Sequence, residues 1–499
     1  MDYLNSDLFS SHVDRLMKKY HVPGLAVAVV EGDRTFSAGY GLASLNPPKP
    51  CTADTLFDIA SSSKSLTAAS VGLLVRDNDR YPDVQYEATM SSLLPEDFVM
   101  SGQGYTEGVT VDDVLGHRTG LPSHDDSYLG RKAVRPDDAL SLTRNLRNLS
   151  VHAPLRSRYM YNNIMYTVAT YLVEKKSGLP FADFLQEHFF KPLGMSSSHL
   201  QPERAQSFGL GDRIATGYTW DKENECYTGF PALDAPEGQG AGSIITSVND
   251  YIKWVKALMN KEHPIDEEVY EGLIKMRTFA SEDPNDRAPL SSPVVYAAGL
   301  EIYYYRGHMV VGHDGAVSGF GSRHFFVPDF KLGGAIFGNT SNAGDIATIL
   351  SRELIDEVLG VSPSDRPDWD KVVTDENLKY ETNEREEELK RLLREATELQ
   401  KMPLTAYTGE YWNPGFHGMT VSIKDGKLFI DASDRSFGFS MVFDHIREQT
   451  EYVARLRGLH ESVDDLVAAK FMFHNDRTIK MGLQLMEDEF IWFDRVEEV

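Results

Sequence analysis

The sequence predicts an α+β fold, an antiparallel sheet flanked by helices, followed by a small all-β, barrel-like domain. Three observations carry the prediction. Within the first 360 residues, strand-like segments stand at both ends with helical segments between them. That is the layout of one antiparallel sheet in which the first hairpin joins the last strands. Residues 361–402 change character, from a linker marked by Pro363, Asp365, Pro367 and Asp368 to a charged helical stretch. From residue 403 the pattern turns to short strands and tight turns. The expected division is 1–360, a charged helical linker at 361–402 and an all-β domain at 403–499. It falls within the about two to four domains that a chain of this length supports.

Residues 7–20 carry the apolar spacing of a short amphipathic helix (Leu8, Val13, Leu16, Met17), which ends before Pro23. Residues 25–30, the turn Glu31-Gly32-Asp33 and residues 35–40 predict a strand hairpin. Helices are expected at 61–78, 159–176 and 247–259, separated by long loops rich in Gly, Pro and Asp. Strands are expected at 299–305, 308–312, 322–327 and 332–337, and an apolar helix at 346–358 closes this half. Residues 383–400 interleave Glu with Lys and Arg, the pattern of a solvated connecting helix. Beyond it, 420–423 and 427–431 flank Asp425-Gly426, a strong hairpin signal. Residues 469–474, the turn Asn475-Asp476, 479–485 and 489–493 continue the series of strands.

Composition bounds the function. The 50 Lys and Arg against 75 Asp and Glu give a formal charge of −25. Such a chain is repelled by phosphate backbones and anionic lipid, so neither nucleic acid nor membrane is an expected partner. Hydrophobic residues at 41% and aromatics at 11% supply a large core and argue against disorder. The two cysteines, Cys51 and Cys226, exclude a disulfide scaffold and leave a single bridge open. The first residues show no basic start followed by an apolar stretch, and runs such as 25–30 are too short to span a bilayer. A cytoplasmic location is expected on these features.

Three segments carry chemistry. The first is Phe57-Asp58-Ile59-Ala60-Ser61-Ser62-Ser63-Lys64, which contains S-x-x-K as Ser61 and Lys64. Positions i and i+3 share a helix face, so Lys64 reaches back to the Ser61 hydroxyl. Burial disfavours an ammonium, and a neutral amine accepts the serine proton. Alone, the pair reads more readily as a Ser-rich helix start with a surface lysine. The second segment is Tyr159-Met160-Tyr161-Asn162-Asn163, with Y-x-N as Tyr161 and Asn163. A phenol beside a cation shuttles a proton, and an amide binds a carbonyl and holds a lysine. Alone, it is equally an aromatic-rich loop. The third is Gly312-His313-Asp314-Gly315-Ala316, expected at a strand end. Glycine there admits close approach to the backbone. The Ala316 and Ser61 amides are candidates for a two-donor oxyanion hole. Alone, it is equally a His in a Gly-rich turn.

Taken in order, the three segments resemble the serine β-lactamase and penicillin-binding-protein superfamily, especially its class C-like esterases, D-aminopeptidases and acyltransferases. The order S-x-x-K, then Y-x-N, then a strand motif ending in Gly is the family's. The turn Val114-Leu115-Gly116-His117-Arg118-Thr119-Gly120-Leu121-Pro122 is similar to the family's LLxHxSGLP turn. The segment from Gly240-Ala241-Gly242-Ser243 to Asp250 is similar to its GGLxSTxxD segment. The resemblance covers residues 8–360. The linker and β-domain resemble the arrangement in members with a lipocalin-like C-terminal domain. The resemblance implies a β-lactamase/transpeptidase-like fold with an all-helical subdomain. It implies Ser61 as the acylated nucleophile, Lys64 and Tyr161 as general base and acid, and Asn163 as the residue orienting substrate and Lys64. It places His313 and Gly315 in the third motif and gives Ala316 the second oxyanion amide. No cofactor and no metal are implied.

Two positions depart from the pattern. His-Asp-Gly stands where penicillin-recognising enzymes have Lys-Thr-Gly, and Asp314, if it faces the pocket, repels a substrate carboxylate. Penicillin hydrolysis is therefore discounted in favour of an ester, an amide or an amine-bearing substrate. Arg118 also departs, in a turn read as structural support. The expected function is a serine hydrolase cleaving an ester or amide of a small molecule or short peptide. The alternatives are an acyltransferase or D-aminopeptidase-like peptidase using the same site, and, in another class, a non-catalytic scaffold. Oligomeric state stays open. There is no G-x-S-x-G elbow, no H-E-x-x-H and no Walker A motif. Residues 238–242 break dinucleotide-loop spacing, and the cluster His117, His124, Asp125 and Asp126 is read as surface-loop polarity rather than a metal site. Tyr303, Tyr304 and Tyr305 are read as core and rim packing.

Overall fold

The computed structural model describes residues 2–497 apart from 282, 284, 382, 383, 397, 462, 487 and 488. The chain forms two compact units. The first comprises 1–123, 138–146 and 150–373, and the second comprises 124–137, 147–149 and 374–499.

The first unit is built on a nine-stranded antiparallel sheet. Its strands in chain order are β1 (Gly24–Glu31), β2 (Arg34–Leu45), β3 (Pro48–Pro50), β4 (Thr278–Phe279), β5 (Val295–Tyr296), β6 (Glu301–Tyr305), β7 (His308–Val317), β8 (Phe320–Val327) and β9 (Leu332–Gly338). The spatial order is β3-β2-β1-β9-β8-β7-β6-β5-β4. As the pattern predicts, the first hairpin joins the late strands: Leu25 stands opposite Gly338 and Glu31 opposite Leu332. Strand β7 runs five residues past its expected end, so the third motif lies within a strand rather than at its end.

Helix α1 (Asp7–Lys19) starts at Ser6, whose hydroxyl accepts from the Phe9 N–H. It buries Phe9, Val13 and Leu16 in one core with Val27 and Val29 of β1, Tyr303 and Tyr305 of β6, and Ile346 and Leu350 from near the end of the unit. Three helices of the intervening region matter for the site: α2 (Lys64–Arg76), α3 (Asn163–Ser177) and α4 (Val248–Asn260). Helix α4 approaches β9 so closely that a Cβ on Gly333 would stand 2.7 Å from Val255. The last helix, α5 (Ala343–Val358), packs with α1. The helical region also carries two small sheets. One joins Phe57–Asp58, Ile244–Thr246 and His199–Leu200; the other pairs Gly217–Asp221 with Cys226–Phe230. Strands of two or three residues are too short to show a period-two pattern.

The second unit is a closed barrel of eight strands in sequence order: Gly409–Asn413, His417–Lys424, Lys427–Ala432, Phe439–Arg447, Glu451–Gly458, Asp465–His474, Arg477–Leu483 and Ile491–Arg495. Closure comes where Tyr411 stands opposite Arg495. The expected Asp425-Gly426 turn is present, with φ of +50° and +76°, the backbone that a two-residue hairpin loop requires. The barrel centre is filled by rings: Phe471 lies 5.1 Å from Tyr407, 5.4 Å from Tyr452 and 6.0 Å from Phe443.

The charged stretch forms two helices, Trp369–Glu381 and Glu384–Glu395. Trp369 and Val373 sit in the core of the first unit. Leu389, with Leu392, Leu393 and Ala396, packs on Ile446 and Val453 of the barrel. The second helix is therefore not a purely solvated connector; apolar residues at i, i+3, i+4 and i+7 among its charges make one seam. Residues 124–137 also belong to the barrel unit. The Gly130 N–H donates to the Asp434 carbonyl at 2.8 Å, and Leu129 bridges to Arg435. Among the described residues no helix is long and apolar enough to cross a membrane. Cys51 is buried, Cys226 is exposed, and both are free thiols.

Two stability results are expected. Phe471→Ala empties the barrel centre and lowers unfolding free energy by about 3–5 kcal/mol in urea titration. His324 of β8 is fully buried, and burial, with His313 and Arg323 adding, holds it well below the usual histidine range. As pH falls below about 6.5 the unfolded chain therefore takes up a proton that the folded chain refuses, and stability drops. In His324→Leu the fall of Tm with acidification is shallower than in the natural protein.

Candidate active site

Ser61 lies in a 3-10 turn, Ala60–Ser63, that runs directly into α2. The turn is fastened to the sheet. The Ser322 hydroxyl donates to the Ile59 carbonyl at 2.7 Å, and the Ser62 hydroxyl donates to the His313 carbonyl at 3.1 Å. Gly315 makes the approach sterically feasible, because a Cβ there would stand 2.2 Å from the Ile59 carbonyl oxygen and 3.0 Å from the Ser61 nitrogen. Ala60, immediately before the serine, has φ of +44°, a backbone state that a non-glycine residue holds only when its surroundings impose it.

Lys64 is fully buried. Its Nζ stands 2.9 Å from Ser61 Oγ, 2.8 Å from Asn163 Oδ1 and 2.8 Å from the Ala241 carbonyl oxygen. It also lies over the rings of Tyr161 (4.8 Å) and Tyr166 (5.5 Å). The Tyr161 hydroxyl donates to Ser61 Oγ at 2.7 Å. Tyr161 precedes the cap of α3: Asn162 Oδ1 accepts from the Met165 N–H, and Asn162 Nδ2 donates to the Pro122 carbonyl at 2.6 Å. The helix therefore begins at Asn163, four residues later than the pattern suggests, and that leaves Tyr161 in extended chain aimed at the serine.

The turn that follows the short helix Val111–Leu115 supports the phenol. His117 Nδ1 accepts the Asn162 N–H at 3.1 Å, and its ring lies 4.4 Å from Tyr161 and 4.5 Å from Tyr296. Burial first, then the charges of Lys64 and His313, hold this imidazole well below its ordinary range. Arg118, the departure in this turn, pairs with Asp113 at 2.8 Å. Arg156 grips the same carboxylate at 2.7 Å, so the turn is braced by ion pairs.

His313 faces the same cluster. Its Nε2 lies 2.9 Å from the Tyr296 hydroxyl, and its Nδ1 lies 2.5 Å from the Asp314 carbonyl oxygen. Burial and the Lys64 charge push it down to about 3, so it is neutral at physiological pH. Asp314 does not share this face. Strand alternation turns it toward Arg323, which it meets at 2.7 Å and which also reaches Tyr303. The expected repulsion of a substrate carboxylate by Asp314 is thereby corrected: its charge is paired on the opposite side of β7. What separates this motif from Lys-Thr-Gly is an uncharged first position. Ala316 is exposed beside Gly315.

The structure thus brings Ser61, Lys64, Tyr161 and Asn163 into one hydrogen-bonded group, with His313 and Gly315 against it. The Ala241 carbonyl is the partner that the sequence reading missed. The 240–243 segment is visible as a motif, but a backbone oxygen leaves no residue-type signal. The cluster of His117, His124, Asp125 and Asp126 is not surface polarity. His117 and His124 are both buried, and they belong to different units. Among the described residues no three His, Cys, Asp or Glu side chains form a metal-binding group. Tyr303 and Tyr305 lie in the α1/α5 core and Tyr304 is exposed.

Comparison with known proteins agrees with this fold. The beta-lactamase family pattern matches residues 9–356, and a domain of unknown function, DUF3471, matches residues 393–495. An unguisins hydrolase of Aspergillus campestris is 32% identical, over 99% of this chain and 92% of its own length. A D-aminopeptidase of Brucella ovis is 26% identical, over 72% of this chain and 64% of its own length. The octameric penicillin-binding protein homologue from Pyrococcus abyssi superposes with a TM-score of 0.61 at 19% identity, over 98% of this chain and 100% of that one, a likeness of fold. The chain belongs to the beta-lactamase family and is an enzyme of the serine-hydrolase kind.

Proposed function

We propose that this enzyme forms an acyl-enzyme on Ser61 and hydrolyses an amide or ester of a small molecule or short peptide. The convergence of Lys64 Nζ and the Tyr161 hydroxyl on one serine oxygen carries the reading. Once Lys64 has given up a proton to act as base, its amine has two N–H donors and one lone pair. Asn163 Oδ1 and the Ala241 carbonyl only accept, so they take both donors and turn the lone pair toward the Ser61 O–H. The serine proton passes to that nitrogen as Oγ bonds to the substrate carbonyl carbon. The carbonyl electron pair becomes an oxyanion, for which the N–H groups of Ser61 and Ala316 are the proposed donors. Collapse of the adduct breaks the bond to the leaving nitrogen or oxygen, which receives a proton through Tyr161. Water then adds to the acyl carbon, gives its proton to the Lys64/Tyr161 pair, and Ser61 leaves with its hydrogen restored.

The pocket side of the third motif offers a neutral imidazole, already engaged with Tyr296, where a fixed cation would hold a carboxylate. That favours substrates without a carboxylate at this position. The name of one relative, a D-aminopeptidase, favours an amide bond over an ester as the natural target.

A fluorophosphonate probe is expected to label Ser61, and Ser61→Ala and Lys64→Ala both abolish labelling and hydrolysis of p-nitrophenyl acetate. Labelling that persists in Ser61→Ala defeats the proposal. Tyr161→Phe keeps the fold and lowers kcat by about 10²–10⁴-fold, the range for loss of a proton-transfer group. Gly315→Ala drives a methyl into the Ile59 carbonyl; kcat is expected to fall by about 10²-fold through displacement of the Ser61 turn, with steady-state kinetics as the check.

A further inference from the structure

The carboxylate of Asp58 takes no part in the proton transfers, yet it stands where the nucleophile turn and the Ala241 loop meet. Asp58 ends the short strand Phe57–Asp58, which pairs with Ile244–Thr246, Asp58 standing opposite Ile245. Its side chain is nearly buried, with Oδ1 accepting the Ala60 N–H at 2.7 Å. Burial raises the carboxyl to about 6, and the N–H groups of Ala60 and Ser243 that face it oppose that rise.

These two donors are not ordinary backbone. Ala60 has φ of +44° and Ser243 has φ of +69°, both in the left-handed region that L side chains disfavour. Ala60 immediately precedes Ser61. Ser243 follows Ala241 by two residues, and Ala241 supplies the carbonyl that takes one Lys64 donor. The segments are close neighbours: a Cβ on Gly242 would lie 3.6 Å from the Ala60 Cα. A buried carboxylate that accepts two backbone N–H groups holds both peptides by charge-assisted hydrogen bonds. Without it, two donors are left unmet in a buried place, and both residues are free to relax toward ordinary φ.

We propose that Asp58 is a positioning residue for acyl transfer, its carboxylate bridging the strained peptides at Ala60 and Ser243 so that the Ser61 hydroxyl and the Ala241 carbonyl keep one fixed spacing across Lys64. The inference rests on the reading of Ser61 as nucleophile. Asp58 touches no reacting atom; it acts through the two backbones. Its loss therefore shows in kcat rather than in KM, because the substrate-binding surface is left in place.

The test compares the full-length protein with Asp58→Ala, Asp58→Asn and Ser61→Ala. For each, kcat and KM are measured on p-nitrophenyl acetate, Tm is recorded, and hydrogen exchange is followed by mass spectrometry over residues 57–61 and 241–246. Asp58→Ala is expected to lose about 10²-fold in kcat, the effect of a displacement of about 1 Å, with KM unchanged. Asp58→Asn keeps one acceptor oxygen and sets an NH₂ against the other N–H, so its kcat falls between the two. Both segments exchange faster in both variants. A folded Asp58→Ala or Asp58→Asn with the kcat of the natural protein overturns the proposal, as does a defect confined to KM. Should Asp58→Ala fail to fold, Asp58→Asn decides. Hydrolysis retained in Ser61→Ala overturns the nucleophile reading instead; faster exchange at the two segments then still reports whether Asp58 holds both peptides.

Discussion

A buried amine with three oxygen partners is the constraint on which the rest of the structure depends. Lys64 Nζ touches a serine on its own helix start, an amide at the head of α3 and a carbonyl in the 240–243 loop. Those three pieces are far apart in sequence and meet at this one nitrogen. Burying such a group without partners is strongly unfavourable, so the fold must deliver all three oxygen partners together. The positive-φ residues, the tight glycines and the short three-stranded ribbon around the site are the means by which the backbone meets that demand. Their conformational cost is offset by a dense set of hydrogen bonds to the sheet.

The electrostatics follow from the same burial. His117 and His313 sit near the lysine and are both neutral, one taking a backbone N–H and the other a tyrosine hydroxyl. Charge in the pocket is thereby not spread over the two imidazoles. Acidic and basic side chains close to the site in sequence, such as Arg118 and Asp314, are drawn away from it into ion pairs with Asp113 and Arg323. A strongly acidic chain thus keeps a site with few fixed charges.

Much of this was legible in the residues. The order of Ser61 and Lys64, Tyr161 and Asn163, and His313 and Gly315 pointed to the cluster that the structure brings together, because side-chain chemistry at set spacing is what a sequence records. The joining of residues 25–30 to 332–337 was legible because hydrophobic strands at the two ends of a region need a common sheet. Other features were not. The facing of Asp314 depended on the strand phase of β7, which a Gly-rich segment does not display. The part played by Ala241 is that of a main-chain oxygen. The apolar seam through Leu389 was hidden by the charges around it. The histidines at 117 and 124 looked solvent-facing because neighbouring polar residues resemble a loop, whereas the aromatic partners that bury them come from elsewhere in the chain.

The division of the molecule into units does not follow the division of its sequence. Residues 124–137 and 147–149 lie inside the catalytic stretch by number, yet they count with the barrel by contact, with Leu129 and Gly130 bonded to Arg435 and Asp434. The polypeptide passes from one unit to the other and back before the barrel strands have been translated. A single cut near residue 374 therefore yields no clean pair of modules: the N-terminal product keeps a stretch stripped of its β-bridge, and the C-terminal product lacks the segment that meets Asp434 and Arg435.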